Sequence, residues 1–221
     1  MGLGWGVGYQ IFFHKALIDR KWGQILFWSI FIFAWIGSKL FFLLNSHSSH
    51  NNLIQEWSFW TGGGFVFYGG MISVLALLAV WKVLKLPLNL QTIWALLLAL
   101  ILGHGIGRLG CLLAGCCYGS PTDWWWAIDL HGAHRHPTQL IEALGLLGLG
   151  YFLWNKRPTI TLIAFYFVFY GVLRFLIEIL RGDEIRGLWG SLTPSQRISL
   201  VLISIGILTT KFNNLPDHRE E

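Results

Sequence analysis

Six apolar runs, near residues 24–44, 65–81, 90–113, 138–154, 159–180 and 192–210, constrain this chain more than anything else in it. Most reach the roughly 20 residues that carry an α-helix across a hydrocarbon core, the run at 138–154 being the shortest. They are continuous rather than alternating with period two, which argues against barrel strands, and a backbone in lipid must satisfy its hydrogen bonds internally. The runs therefore predict an all-α integral membrane protein, a bundle of about six transmembrane helices with a small loop region on the outer side. Residues 1–212 read as one transmembrane domain and 213–221 as a polar tail. The first run starts after residue 23 and is too long for the apolar core of a cleaved secretory signal, so it is expected to stay as an anchor.

Charge gives the runs a direction. If the helices alternate, Lys15, Arg20, Lys21, Lys82, Lys85, Lys156, Arg157, Lys211 and Arg219 fall on one side. The other side's loops hold Arg135, Arg181 and Arg186, together with Glu56, Asp123, Asp129, Asp183 and Glu184. That bias places both termini and the tail in the cytoplasm. The formal net charge of +5 is thus spread over alternate loops and not gathered into the single basic patch that nucleic acid requires, which excludes that partner. Trp57, Trp60, Trp124, Trp125, Trp126 and Trp189 stand near predicted outer ends, where indoles anchor helices at the interface.

A charged side chain at a helix centre costs roughly 2.5–3.5 kcal/mol on insertion, so each one inside a run calls for a reason. His104, Arg108, Cys111 and Gly115 follow the spacing i, i+4, i+7, i+11, one face of the third run. Tyr170, Arg174, Glu178 and Arg181 repeat it on the fifth, and Gln139 and Glu142 lie one turn apart just after Pro137. Three helices therefore turn polar faces toward the outer side at similar depth. Arg174 and Glu178 neutralise one another at i, i+4 on a bland reading. Arg108 has only His104 on its own helix, with Glu142 or Glu178 on a neighbour as the alternative partner. Two arginines facing an outer-leaflet cavity suit a phosphate, which guanidinium groups bind bidentately, and the abundant phosphates at that depth belong to membrane lipids.

The glycine-rich segment 61–70, which includes Gly69 and Gly70, and Gly103, Gly105, Gly107 and Gly110 permit either close approach of backbone to a ligand or close helix packing. No phosphate-cradling P-loop is present. Cys111, Cys116 and Cys117 match no zinc or Cys-x-x-Cys redox spacing and are expected as small packing residues, a membrane thiol oxidoreductase being the reading that would use them. His131, His134 and His136 lack partners in register, so neither a metal nor a cofactor is expected.

Taken together these residues resemble the prolipoprotein diacylglyceryl transferase family. Its signature Gly-Arg-x-Gly-Asn-Phe-x-Asn-x-Glu-x-x-Gly is similar to the segment from Gly107 and Arg108 through Gly110 to Gly119. Its Arg-His-Pro-Ser-Gln-Leu-Tyr-Glu is similar to the stretch from Arg135 and His136 through Gln139 to Glu142. Its Tyr-Gly-x-x-Arg-Phe-x-x-Glu-x-x-Arg matches Tyr170 through Arg174 and Glu178 to Arg181, and a closing Gly-Gln-x-Leu-Ser looks like Ser195 to Ser199. Order and spacing hold over roughly residues 37–210. The family's His-Gly-Gly histidine falls on Tyr68, before Gly69 and Gly70, and its two signature asparagines and glutamate fall on Cys111, Ala114 and Cys116. Against the family the chain is expected to be shorter by the first membrane helix and by most of a periplasmic head, reduced here to about Tyr118–His136.

The resemblance implies transfer of diacylglyceryl from phosphatidylglycerol to the lipobox cysteine in the signal peptide of a prolipoprotein, at the periplasmic side of the bacterial inner membrane. On that reading Arg108 and Arg174 clamp the phosphate, His104 is the base and Tyr68 orients the lipid or relays the proton, with His136 as the alternative base. Gly69, Gly70, Gly119, Arg135, His136, Gln139, Glu142, Tyr170 and Glu178 bind substrate, Glu178 by holding Arg174. A non-catalytic relative that binds an anionic lipid, or a transferase with another lipid or acceptor, remains the alternative.

Overall fold

The computed structural model describes residues 2–45, 59–60, 67–182 and 192–213. Seven helices appear among them: α1 Gly2–Lys15, α2 Arg20–Asn45, α3 Phe67–Val83, α4 Leu90–Leu113, α5 Thr138–Leu153, α6 Ile160–Leu180 and α7 Pro194–Asn213. Each of the six apolar runs contributes a helix among the described residues. By length and composition Arg20–Leu44, Leu90–Leu113 and Ile160–Leu180 are sufficient to cross a membrane, while α3 and α5 are shorter apolar helices. Leu100, Leu144, Phe152, Leu176, Ile179 and Val201 are all more than half exposed, a surface no water-soluble chain would leave uncovered but one that lipid covers.

Two features depart from the expected bundle. The first is α1, whose glycine-rich start, Gly2-Leu3-Gly4-Trp5-Gly6, carries little helix propensity. Tertiary packing makes it helical: a Cβ on Gly4 would stand 2.6 Å from the carbonyl oxygen of Gly103, and Gly8 faces Ala99. Small residues four apart on both helices let the α1 and α4 backbones approach closely. The second is a short antiparallel hairpin, β1 Ile128–Leu130 with β2 Ala133–Arg135, in an otherwise helical fold. Its two-residue turn holds His131 at φ 55° and Gly132 at φ 72°, the left-handed pair that a tight hairpin needs.

The chain forms two compact units, residues 17–89 and residues 1–16 with 90–221. In the first, α2 and α3 pack through small residues: a Cβ on Gly70 would lie 2.5 Å from Ser38 Oγ and 2.9 Å from the Ala34 carbonyl oxygen. Trp81 Nε1 donates to the Pro87 carbonyl at 3.1 Å and Asn89 Nδ2 to the Leu17 carbonyl at 2.9 Å, closing the turn after α3. Lys39, inside the apolar run of α2, is fully buried; its Nζ donates to the Phe59 carbonyl and sits 4.6 Å from the centre of that ring.

The second unit contains α1, α4 to α7 and the hairpin, around a core that includes Trp94, Leu98, Ile101, Leu146, Leu153 and Ile177. Helix starts are set by sequence. Thr159 caps α6 by accepting from Leu162 N at 3.2 Å. Thr193 and Gln196 form a reciprocal capping box at α7, with bonds of 3.3 and 3.0 Å, and Pro194 takes the first helical position. Gly171 and Gly206 then let α6 and α7 approach, since a Cβ on either would meet a carbonyl of the facing helix at 2.8 or 2.7 Å.

Candidate functional site

Glu142 organises the polar residues of the second unit. Its side chain is 1% exposed and accepts a hydrogen bond from Arg108 Nη2, while Tyr170 Oη donates to its other oxygen at 3.2 Å. Arg174 Nη1 lies 3.6 Å from the same carboxylate and His104 Nε2 lies 3.7 Å from it. Arg174 also reaches Glu178 at 2.9 Å, one helical turn on, and donates to Ser195 Oγ at 3.1 Å, tying the start of α7 to α6. The ring of His104 meets that of Tyr170 edge-on, and Tyr166 stacks behind Tyr170. Thus the polar faces of α4, α5 and α6 meet, and of the two partners open to Arg108 it is Glu142 that pairs with it.

Among the described residues, Arg108 Nε and Arg174 Nη1 are buried donors with no hydrogen-bond partner. Leaving such donors dry costs about 1–3 kcal/mol each, so an acceptor brought to them is strongly favoured. With neutral His104, the two guanidinium groups and two carboxylates of the cluster balance in formal charge.

The second group of candidate residues builds a platform beside this cluster. Gly119 N donates to the His136 carbonyl at 3.0 Å and His136 N to the Ser120 carbonyl at 3.1 Å, while Ser120 N donates to Leu180 O at 2.8 Å at the end of α6. Gly119 is required there, because a Cβ would stand 2.5 Å from both the Cβ and the carbonyl oxygen of His136. His136 accepts from Trp126 Nε1 at 2.9 Å. Arg135 donates to the carbonyls of Leu130 and Gly119 at 3.2 and 3.4 Å and lies over the Tyr118 ring. Gln139 Nε2 donates to the Cys116 carbonyl at 2.6 Å, and Thr138 Oγ1 to the Cys117 carbonyl at 2.8 Å. Arg135, His136 and Gln139 thus hold the loop, and Glu142, one turn beyond Gln139, enters the ion cluster.

Gly69 and Gly70 belong to the other unit, where both are buried in the contact of α3 with α2. The side chain of Tyr68 and residues 61–66 lie outside the described residues, as do Glu56, Trp57, Asp183, Glu184, Arg186, Trp189 and the tail beyond Asn213.

Spacing alone did not reveal how the cysteines meet. Gly115, at φ +64°, ends α4 in a Schellman turn: Cys116 N donates to Cys111 O at 3.1 Å and Gly115 N to Leu112 O at 3.0 Å. The turn folds Cys116 back over Cys111, and Cys117 follows in the left-handed region at φ 63°, unusual for a residue with a side chain. All three sulfurs come within 4.8 Å of one another. The Cys117 thiol is held below the usual thiol range by the hydrogen bond from Cys111 and by the guanidinium groups of Arg108 and Arg181, against the opposing effect of burial. Sequence reasoning also passed over Lys39, although a lysine within an apolar run carries the same signal as Arg108.

On the outer faces of α5 and α6 an open apolar groove of about 340 Å3 is lined by Leu144, Gly145, Gly148, Phe152, Phe165 and Phe169.

The family profile described as prolipoprotein diacylglyceryl transferase matches residues 1–211. The phosphatidylglycerol–prolipoprotein diacylglyceryl transferase of Finegoldia magna is 30% identical over 212 residues, covering 93% of this chain and 84% of its own length. A protein of Clostridium perfringens with that name, numbered 2, is 36% identical over 180 residues, 72% of this chain and 66% of the relative. The Clostridium tetani transferase is 39% identical over 163 residues, 66% of this chain and 63% of the relative. A match over almost the whole chain, on an ion cluster built from the family's own motif positions, makes this protein a member of the prolipoprotein diacylglyceryl transferase family.

Proposed function

We propose that this chain is a membrane transferase that moves diacylglyceryl from phosphatidylglycerol to the lipobox cysteine thiol of a prolipoprotein. It would lie in the bacterial inner membrane as one domain of about six spans over residues 1–212, both termini cytoplasmic and the Glu142 cluster toward the periplasm. The observation that carries this reading is the pair of buried guanidinium donors, Arg108 Nε and Arg174 Nη1, without hydrogen-bond partners among the described residues. Phosphate oxygens are the acceptors that such donors fit, and the two forks converge on one carboxylate and so on one small volume. The names of the relatives give the lipid and the acceptor class.

The reaction asks for a nucleophilic thiolate and for stabilisation of charge on the departing phosphate. The acceptor sulfur attacks the glycerol carbon bonded to the phosphate oxygen. A C–S bond forms as the C–O bond breaks, and glycerol phosphate leaves. Arg108 and Arg174 hold that phosphate while Glu142 fixes both forks. His104 is the proposed base: the Glu142 carboxylate near Nε2 favours the tautomer protonated there, which leaves Nδ1 to accept a proton. Tyr68 would orient the lipid at the family's histidine position, and Gly119, Arg135, His136 and Gln139 support the loop over the site. The open apolar groove on α5 and α6 would take an acyl chain.

Two observations favour a second reading. The cluster is already balanced in charge and the family's histidine is Tyr68, which suits a lipid-binding relative that does not turn over. Expression in a strain depleted of its own transferase separates them: restored growth and lipoprotein processing is the expected result, and no rescue by a protein correctly inserted in the membrane refutes the transferase.

A further inference from the structure

We propose that Cys111, Cys116 and Cys117 hold a zinc ion whose fourth coordination position receives the acceptor cysteine. The inference rests on the transferase reading above and supplies its means of activating the thiol.

Geometry carries it. Zinc bound by thiolates at about 2.3 Å sets neighbouring sulfurs about 3.8 Å apart in a tetrahedron. Three sulfurs already within 4.8 Å of one another need shifts of an ångström or less to reach that arrangement, well inside the reach of χ1 adjustments. The backbone is built for this convergence: the Schellman turn at Gly115 brings Cys116 over Cys111, and the left-handed Cys117 turns the third sulfur back to the other two. Hydrogen bonds from Gln139 and Thr138 to the carbonyls of Cys116 and Cys117 lock the turn. Such fixing of ligands from behind is what metal sites require.

Charge agrees with the assignment. Three thiolates and one Zn2+ carry a net charge of −1, and the guanidinium group of Arg108, three residues before Cys111 on the same helix, offsets it. Without cations nearby, three thiolates would repel one another. Soft sulfur ligands select zinc or copper(I) over hard cations, and zinc adds no redox chemistry to a transfer that has none.

Three protein ligands among the described residues leave one position of a tetrahedron open. Among the described residues no histidine or carboxylate completes the group, whereas a purely structural zinc site is closed by four. Cys111 lies three residues beyond Arg108, so the open position is presented beside the proposed phosphate site. A thiol that coordinates zinc is deprotonated outright. The acceptor thiol would displace a zinc-bound water and lose its proton, by way of that water, to His104, the base of the reading above. Its sulfur then forms the C–S bond while the electron pair of the broken C–O bond leaves on glycerol phosphate, and zinc remains Zn2+ throughout. This accounts for an acceptor being activated although Tyr68 stands in place of the family's histidine.

The test uses the full chain, purified without chelator under reducing conditions into phosphatidylglycerol bilayers. Zinc is quantified by elemental mass spectrometry, and a sample exchanged to Co2+ is examined for thiolate-to-cobalt charge-transfer bands. A lipobox peptide and the same peptide with serine for cysteine are then added. About one zinc per chain is expected, with cobalt bands that change with the cysteine peptide and not with the serine peptide. Loss of the metal from Cys111→Ser and from Cys116→Ser is also expected. Absence of bound metal, a disulfide among the three cysteines, or bands insensitive to the peptide thiol each overturn the zinc site. Transfer at full rate by metal-free protein overturns it while leaving the transferase reading intact. Thiol-responsive metal binding with no transfer of any lipid refutes the transferase reading and leaves the metal and thiol site standing. The measurements on the unmodified chain decide the question even where a cysteine variant fails to fold.

Discussion

Glu142→Gln is the substitution that most sharply tests how the ion cluster is held. The carboxylate is 1% exposed, and the Arg108 and Arg174 side chains that face it are 12% and 14% exposed. Removing one member of a buried pair costs about 3–5 kcal/mol, because the remaining charge is left uncompensated. Arg174 retains Glu178 and Ser195, so most of the loss falls on Arg108, and the lower end, about 3 kcal/mol, applies. For a chain of this size that corresponds to a fall in melting temperature of about 6–12 °C. Glutamine keeps an oxygen to accept from Tyr170, so the change isolates the charge. The cluster then carries one net positive charge, and binding of an anionic headgroup should be maintained or tightened while stability falls. Thermal unfolding in detergent, paired with a phosphatidylglycerol binding isotherm, measures both. The double variant Arg108→Gln, Glu142→Gln should recover at least half of the loss. A shift under about 2 °C for Glu142→Gln, or a double variant whose losses simply add, would refute an ion cluster centred on Glu142.

Other consequences are independent of that one. Arg108→Lys and Arg174→Lys keep the charge but lose the fork, so each should reduce transfer by roughly tenfold or more, from the 1.5–3 kcal/mol of a charged hydrogen bond; near-normal rates in both folded variants would remove the phosphate clamp. His104→Gln should bind lipid and fold but lose most turnover, with Tyr68→Phe milder, as read by peptide lipidation against lipid binding in the same preparations; full turnover by His104→Gln would shift the base to His136. Gly119→Ala should destabilise the loop platform by about 1–3 kcal/mol through the clash with His136, seen as faster proteolysis between α4 and α5. Asp123→Cys, in a background with the native cysteines replaced, should react with a membrane-impermeant maleimide in intact spheroplasts; labelling only after lysis would invert the proposed topology.

What could be read from the sequence follows the range over which each signal acts. Helices α2 to α7 were legible because long apolar runs in lipid have one backbone solution, and the polar faces of α4, α5 and α6 because side-chain spacing on a helix is fixed. Their meeting point was only partly legible. The i, i+4 rule pairs Arg174 with Glu178 on one helix, but Glu142 reaches Arg108 through the register between helices, which no single segment encodes. Helix α1 escaped because its glycines argue against helix locally and favour it only once Gly103 and Ala99 are packed against them. The cysteines read as packing residues since linear spacing missed the turn at Gly115, although a glycine directly after an apolar helix is itself a signal for such a turn. The hairpin escaped too, its two three-residue strands being too short to show alternation.

The most direct measurement is mass spectrometry of a lipobox peptide incubated with the purified chain in bilayers of phosphatidylglycerol. The account predicts a peptide heavier by one diacylglyceryl group, attached to the cysteine sulfur as a thioether, with an equal amount of glycerol phosphate released and no product from a serine-substituted peptide. An unmodified cysteine peptide, in a preparation shown to bind the lipid, would contradict it.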